Sequence, residues 1–239
     1  PMVIQKRFGL SLLVLSCLGL SACDFNDNDG APAPAPTPPA DVSYSYEVTV
    51  QNLTQGQPLS PVGVALHGDA VMWEVGMSAS AALEVLAEGG DNSDFTAAEG
   101  VMASASGAGP IAPGSSETIT VTVVNEPDMF ISVATMLVNT NDAFAGITGH
   151  ALGELEVNQS MTMVLPVLDA GTEANSEVAG TIPGPADGGE GYNADRDDAD
   201  LVSFHPGVVS GEDGLTMSVL TAAHRFDNPA VKLTITRVE

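Results

Sequence analysis

The sequence predicts a mainly β protein, an antiparallel β-sandwich with one short helix. Short segments with apolar residues at every second position recur along the chain, and they are rich in Val, Ile and Thr. Gly, Pro, Asn and Asp separate these segments, as expected for turns between strands. Strands that follow one another without alternating helices are typical of two packed antiparallel sheets rather than of a parallel β/α fold.

The first predicted strand lies in SYSYEVTVQN, which starts at residue 43. Tyr46, Val48 and Val50 fall on one face of this segment and polar residues fall on the other, which indicates a half-buried strand. Six later segments have the same short, β-branched character. They are residues 61–67, 117–124, 129–138, 161–168, 215–222 and 230–238.

One segment has the composition of a helix instead. Residues 79–90, ASAALEVLAEGG, are rich in Ala, Leu and Glu. Ser78 or Ser80 can cap the N-terminus of this helix, and Gly89 can end it. We therefore expect one short helix on the sandwich.

The start of the chain is predicted to direct export. Lys6 and Arg7 precede an apolar run that is too short to span a bilayer and is flanked like a secretory signal. The run ends in LSAC, which resembles the lipobox of bacterial lipoproteins, where cleavage before the Cys is coupled to its acylation. This resemblance implies a signal peptide over residues 1–22 and a lipid on Cys23. A plain signal peptide with a chance Cys near its end is the alternative.

A tether is expected between the lipid and the folded domain. Residues 23–41 are first acidic and then proline-rich, and their alternating Ala-Pro pattern favours an extended polyproline II conformation. The domain is then expected over residues 42–239. Cys17 would leave with the signal peptide and Cys23 would carry lipid, so the hydrophobic core has to hold the domain without a disulfide. The expected location is the bacterial cell envelope, lipid-anchored, on the periplasmic or the outer surface.

The charge of the chain restricts its partners. It has 31 acidic and 6 basic residues and a formal net charge of −25. Because no basic patch is present, we expect no nucleic-acid partner, and direct docking on anionic lipid is disfavoured for the same reason. Membrane attachment is therefore expected through the lipid anchor, and most of the acids are expected to face solvent.

The common catalytic motifs are absent from the sequence. It has no G-x-S-x-G, H-E-x-x-H, C-x-x-C, P-loop or G-x-G-x-x-G pattern, and its four histidines lack the spacing of zinc ligands. We therefore expect a protein that is not an enzyme. A carbohydrate-active or carbohydrate-binding protein is the alternative, because a pair of carboxylates can cleave glycosides.

Two acidic segments are candidate sites. LDAGTEANSE places Asp169 and Glu173 around Gly171, which permits a tight turn. These carboxylates can bind a metal ion, or Asp169 can bond its own backbone in an Asx turn. A second run, NADRDDAD at residues 193–200, lacks the Gly and the final Glu of an EF-hand. It indicates a solvated loop, with a weak second cation site as the alternative.

The order of five segments resembles the spondin N-terminal domain family in its bacterial form. They are PVGVALHG, SAALEVLAEGGD, SVATMLVNTNDAFAGI, DAGTEANSE and HRFDNPAVKLTITR, of which NDAFAG and DAGTE are the most specific parts. Animal members of this family are secreted matrix proteins whose spondin domain is a C2-like β-sandwich that binds calcium. The resemblance therefore implies a calcium-binding adhesion or matrix module with an unidentified extracellular protein or glycan as its partner.

The resemblance also implies a ligand set. Carried over onto this sequence, the calcium ligands are Asp142 from NDAFAG and Asp169 and Glu173 from DAGTE. The animal motif usually has Asp at the position of Glu173 and Trp at the position of Ala143. The first difference keeps a carboxylate on a longer side chain, and the second removes a bulky anchor from the loop.

Overall fold

The computed structural model describes residues 38–195 and 198–239. The predicted signal peptide, Cys23 and the tether as far as residue 37 lie outside these residues. In chain order the strands are β1 (Ser43–Asn52), β2 (Gly63–His67), β3 (Val101–Ser106), β4 (Ser116–Val124), β5 (Phe130–Met136), β6 (Ala143–Ala151), β7 (Ser160–Leu165), β8 (Val167–Asp169), β9 (Ser203–Phe204) and β10 (Val231–Arg237). The α-helices are α1 (Ala81–Gly89) and α2 (Ser93–Thr96), and short 3₁₀ turns lie at Gly211–Asp213 and Ala222–His224.

The strands form two antiparallel sheets, which confirms the predicted mainly β fold and sandwich architecture. One sheet has the order β4-β1-β10-β7 and the other has the order β3-β2-β5-β6-β8-β9. Tyr46, Val48 and Val50 of β1 are buried, as their period-two spacing predicts. They belong to one hydrophobic cluster with Val64 and Leu66 of the other sheet, so the main core lies between the sheets.

The predicted helix is confirmed as α1. The Ser80 hydroxyl accepts a hydrogen bond from the backbone N–H of Leu83. Gly90, and not the predicted Gly89, ends the helix in the left-handed conformation with φ of +69°. Leu83 and Leu86 pack on the second face of the six-stranded sheet, in a cluster with Trp73, Phe95 and Phe144. The four-residue α2 follows directly and was not expected from the sequence.

The prediction of a strand at residues 215–222 is wrong. This segment is a loop, and only Ser218 forms an isolated bridge, with Val178. Burial does not alternate along this segment, because Thr216 and Met217 are both exposed and the next three residues, 218–220, are all partly or fully buried. Leu220 packs against Ile182. Without a neighbouring strand to pair with, β propensity alone does not make a strand.

The segment predicted as one strand at residues 161–168 is divided. Pro166 separates β7 from β8, and the two strands belong to different sheets. Proline has no backbone N–H to donate, so it interrupts a ladder at the point where the chain changes sheets. This crossing places the short β8, which ends at Asp169, beside β6.

Candidate metal centre

The two loops that carry the predicted ligands meet at one edge of the six-stranded sheet. Asp142 directly precedes β6 and Asp169 is the last residue of β8, and Ala143 pairs with Asp169 in the antiparallel register. The start of one strand therefore lies beside the end of the next. Asp142, Asp169 and Glu173 are 0%, 6% and 4% exposed, so all three predicted ligands lie below the surface.

Asp142 joins the two loops directly. Its Oδ2 accepts hydrogen bonds from the backbone N–H groups of Thr172, at 2.9 Å, and Glu173, at 3.1 Å. Its Oδ1 is buried, and within the described part of the chain no donor reaches this oxygen. Buried carboxylate oxygens normally have a partner, so Oδ1 is an unsatisfied acceptor in this site.

The environment of Asp142 raises its pKa to about 7. Burial is the largest cause, and the negative charges of Asp169 and Glu88 act in the same direction. The hydrogen bonds from Glu173 and Thr172 oppose the rise because they stabilise the ionised carboxylate. The ionised form of Asp142 is therefore costly in this site unless a cation compensates its charge. Without a cation, the site favours the protonated carboxyl group.

Asp169 is held from two sides. Its Oδ1 accepts a hydrogen bond from the backbone N–H of Gly171 at 2.8 Å, so the Asx turn considered from the sequence is present. Its Oδ2 accepts a hydrogen bond from the side-chain amide of Asn175. Gly171 has φ of +70°, which is consistent with the tight turn expected there. The Asx turn does not consume the acceptor capacity of the carboxylate, because each oxygen has a second lone pair.

Glu173 is oriented by a second amide. The Asn141 side-chain N–H donates to Glu173 Oε1 at 3.1 Å and to Thr181 Oγ1 at 3.0 Å. The Asn141 side-chain oxygen accepts from the backbone N–H of Glu177 at 3.3 Å. Each of the three predicted ligands therefore has at least one carboxylate oxygen fixed by a neutral N–H donor.

A further acid near Asp142 comes from α1. Glu88 is fully buried, and its charge contributes to the raised pKa of Asp142. Its Oε2 accepts a hydrogen bond from the backbone N–H of Asn193 at 2.9 Å. Glu88 was not a sequence candidate, because one Glu in a helical segment has no feature that distinguishes it from a solvated one. Asn141 and Asn175 were also missed, although both lie within two residues of a predicted ligand.

The predicted ligands do not form a preassembled cage. Within residues 38–195 and 198–239, no group of three or more His, Cys, Asp or Glu side chains is arranged to hold a metal ion. The calcium assignment thus stays a prediction. The available donors still fit calcium, since they are carboxylate oxygens from two loops and include the unsatisfied Oδ1 of Asp142.

The second acidic run has the exposure expected of a solvated loop. Asp195, Asp198 and Asp200 are exposed, and residues 196–197 lie outside the described part of the chain. Asp200 is nevertheless tied to DAGTE, because its backbone N–H donates to the carbonyl of Gly171 at 2.8 Å.

Fold and site together define a β-sandwich module in which two acidic loops meet at a sheet edge. The Spondin_N family model matches residues 55–181, more than half of the chain, and the chain belongs to this family. The match includes α1 and all three predicted ligands. Family membership indicates a module of the extracellular matrix or adhesion type. A comparison with curated proteins finds no match.

Proposed function

We propose that this protein is a calcium-binding adhesion or matrix-interaction module, anchored by lipid in the bacterial cell envelope and binding an extracellular protein or glycan. The observation that supports calcium binding most directly is the unsatisfied Oδ1 of the fully buried Asp142, with the Asp169 charge beside it. Burying a charged group without compensation is costly, and a divalent cation relieves that cost.

Asp142, Asp169 and Glu173 would hold the ion. Calcium takes about six to eight oxygen ligands in flexible geometry and accepts backbone carbonyls and waters besides carboxylates. The ion would join the start of β6 to the turn after β8, so it would stabilise the edge of the sheet that carries both loops. Magnesium requires a stricter octahedral arrangement and is expected to bind less well.

Burial of the three acids favours an ion over a sugar at this site. A glycoside-cleaving pair of carboxylates flanks its substrate and therefore needs an open cleft. Here Asp142, Asp169 and Glu173 are all nearly inaccessible, and a small ion fits such a position better than a pyranose ring. We accordingly propose binding rather than catalysis.

Calcium is expected to raise the melting temperature of the domain at roughly 0.1–1 mM, the range of extracellular modules. Asp169→Asn should remove most of this increase, because it deletes one charge of the ligand set. Asp198→Asn is the matched control, since Asp198 is exposed in the solvated loop. Calorimetric titration and thermal unfolding measure the effect. Equal calcium binding by the wild type and Asp169→Asn would reject this site.

The calcium effect should also depend on pH through Asp142. The pKa of Asp142 is about 7 in the folded protein, whereas the ordinary value for an Asp side chain is 3.8. Between these two pH values the folded protein keeps the proton and the unfolded chain loses it. This group's contribution to folding without calcium is complete below pH 3.8, decreases as the pH rises above that value and is gone above about pH 7. Calcium has to displace the proton at about pH 5, so the thermal shift should be larger at about pH 8. A pH-independent shift would contradict the role of Asp142.

The anchor depends on Cys23, which lies outside the described residues. In the described part of the chain, none of the helices has the length and apolar character needed to cross a bilayer. Cys23→Ser is expected to prevent acylation and to leave the precursor uncleaved or the domain unanchored, because the motif supplies only this thiol for lipid. Metabolic labelling with a fatty acid and membrane fractionation measure this. Continued labelling of the variant would contradict the anchor.

A further inference from the structure

His205 is connected to the predicted ligand Asp169 through the side chain of Asn175. The Nε2 of His205 lies 2.9 Å from Asn175 Oδ1, and the Asn175 amide nitrogen donates to Asp169 Oδ2. His205 is 36 residues after Asp169 and lies beyond residues 55–181, which the family model matches. The later part of the chain therefore contributes to a site whose predicted ligands all lie within the matched range.

The tautomer of His205 follows from its second contact. The backbone N–H of Gly207 donates to His205 Nδ1 at 2.9 Å, so Nδ1 is an acceptor and carries no proton. The neutral ring then has its proton on Nε2, which donates to Asn175 Oδ1. The hydrogen bonds thus run in one direction, from Gly207 through His205 and Asn175 to Asp169.

This direction fixes the orientation of the Asn175 amide. A flipped amide would place its NH₂ group against the Nε2–H of His205 and its oxygen against the carboxylate of Asp169. Both contacts would be repulsive, because each would pair two donors or two acceptors. His205 thereby keeps the NH₂ group of Asn175 directed at Asp169.

The histidine itself is held firmly. It is 5% exposed, and its ring centre lies 5.4 Å from that of Phe226. Burial lowers the pKa of His205 to about 4, although the negative charge of Asp169 acts in the opposite direction. The ring is consequently neutral at physiological pH, as the donor and acceptor pattern requires.

We propose that Asn175 and His205 are positioning residues of the cation site, which hold the Asp169 carboxylate in the orientation that binds the ion. This inference rests on the proposed calcium function. Groups that hydrogen-bond to a metal ligand orient it, and their loss typically reduces metal affinity by roughly 10–100-fold. Asn175 contacts Asp169 itself, and His205 acts through Asn175.

Calcium titration of three variants tests the proposal, with the unfolding of each variant measured separately in chelator. Asn175→Leu keeps the approximate size of the side chain but removes the amide, and it should raise the calcium Kd by roughly 10–100-fold. His205→Phe keeps a ring against Phe226 but removes both nitrogens, and it should raise the Kd in the same direction. His205→Gln retains an N–H donor near the position of Nε2, and it should restore much of the lost affinity.

His67→Phe is the matched control. His67 is also a buried histidine, and its ring nitrogens lie 2.7 Å from the Ser132 hydroxyl and 3.1 Å from the Gly68 carbonyl, two residues that do not belong to the loops of the site. This variant should lose stability and keep the wild-type calcium Kd. If Asn175→Leu and His205→Phe behave in the same way as the control, the network is only structural and the proposal is overturned.

Two further results separate this proposal from the calcium function. If the wild type binds calcium and Asp169→Asn does not, an unchanged Kd in the Asn175 and His205 variants rejects the positioning role alone. A wild type that binds no calcium rejects both. Nitrogen-15 NMR of the wild type should show His205 as the neutral Nε2–H tautomer, and a proton on Nδ1 would overturn the network even if a variant failed to fold.

Discussion

Gly171→Ala is expected to lower the free energy of unfolding by roughly 3 kcal/mol or more, since it combines backbone strain with a clash. Gly171 has φ of +70°, and a Cβ there would lie 2.6 Å from the backbone nitrogen of Leu201 and still closer to its carbonyl oxygen. Both neighbouring atoms belong to the backbone, so the turn or the segment around Leu201 has to move. Denaturant unfolding measures the loss, and the calcium-dependent shift should decrease with it.

Gly188→Ala separates the two causes. Gly188 has a similar φ of +66°, but no atom lies within 4 Å of the position that its Cβ would occupy. This control should lose only about 1 kcal/mol, the usual cost of placing Ala in the left-handed region. Equal losses in the two variants would show that the close contact between the Leu201 backbone and a Cβ at position 171 does not contribute to the loss of stability.

Phe144→Ala is expected to cost about 3–5 kcal/mol, the usual range for removing a large aromatic side chain from a core. Phe144 is fully buried, and its ring meets that of Trp73 edge-on at 5.3 Å between centres. It is the second residue of β6, directly after Ala143, so it anchors the strand that begins beside Asp142. The loss should appear in denaturant unfolding.

Phe204→Ala is the corresponding surface control. Phe204 lies on β9, the outermost strand of the same sheet, and is 63% exposed. Its truncation should change the free energy of unfolding by no more than about 0.5 kcal/mol. A loss at Phe144 as small as that at Phe204 would mean that the cluster under α1 repacks around the missing ring.

The sandwich was predictable where a strand has one solvent-exposed face and one buried face. The alternation in β1, β4 and β10 is regular, and the structure buries the expected side of each. In contrast, β3 and much of β6 are rich in Ala, Gly and Ser and were not predicted as strands, because these residues give little periodic signal. Their pairing with neighbouring strands decides their conformation instead.

The site was predictable only in part, and mainly through resemblance. The residues around Asp142 and Asp169 match a recognisable family pattern, and the structure brings their loops together. The contacts from Asn175, His205 and Glu88 depend on tertiary structure that no local pattern encodes. A buried histidine and a solvated one look identical in a single sequence.

The order of the first sheet has a mechanical consequence if the protein is held by its N-terminus, as proposed. The chain enters the domain through β1, which lies between β4 and β10 and is paired with both. Tension applied to residue 42 would pull on a central strand, so β1 can leave only if the hydrogen bonds on both of its sides break. An edge strand in this position would be held by the hydrogen bonds of one ladder only. The position of β1 would thus suit a domain that stays folded under tension on the proposed tether.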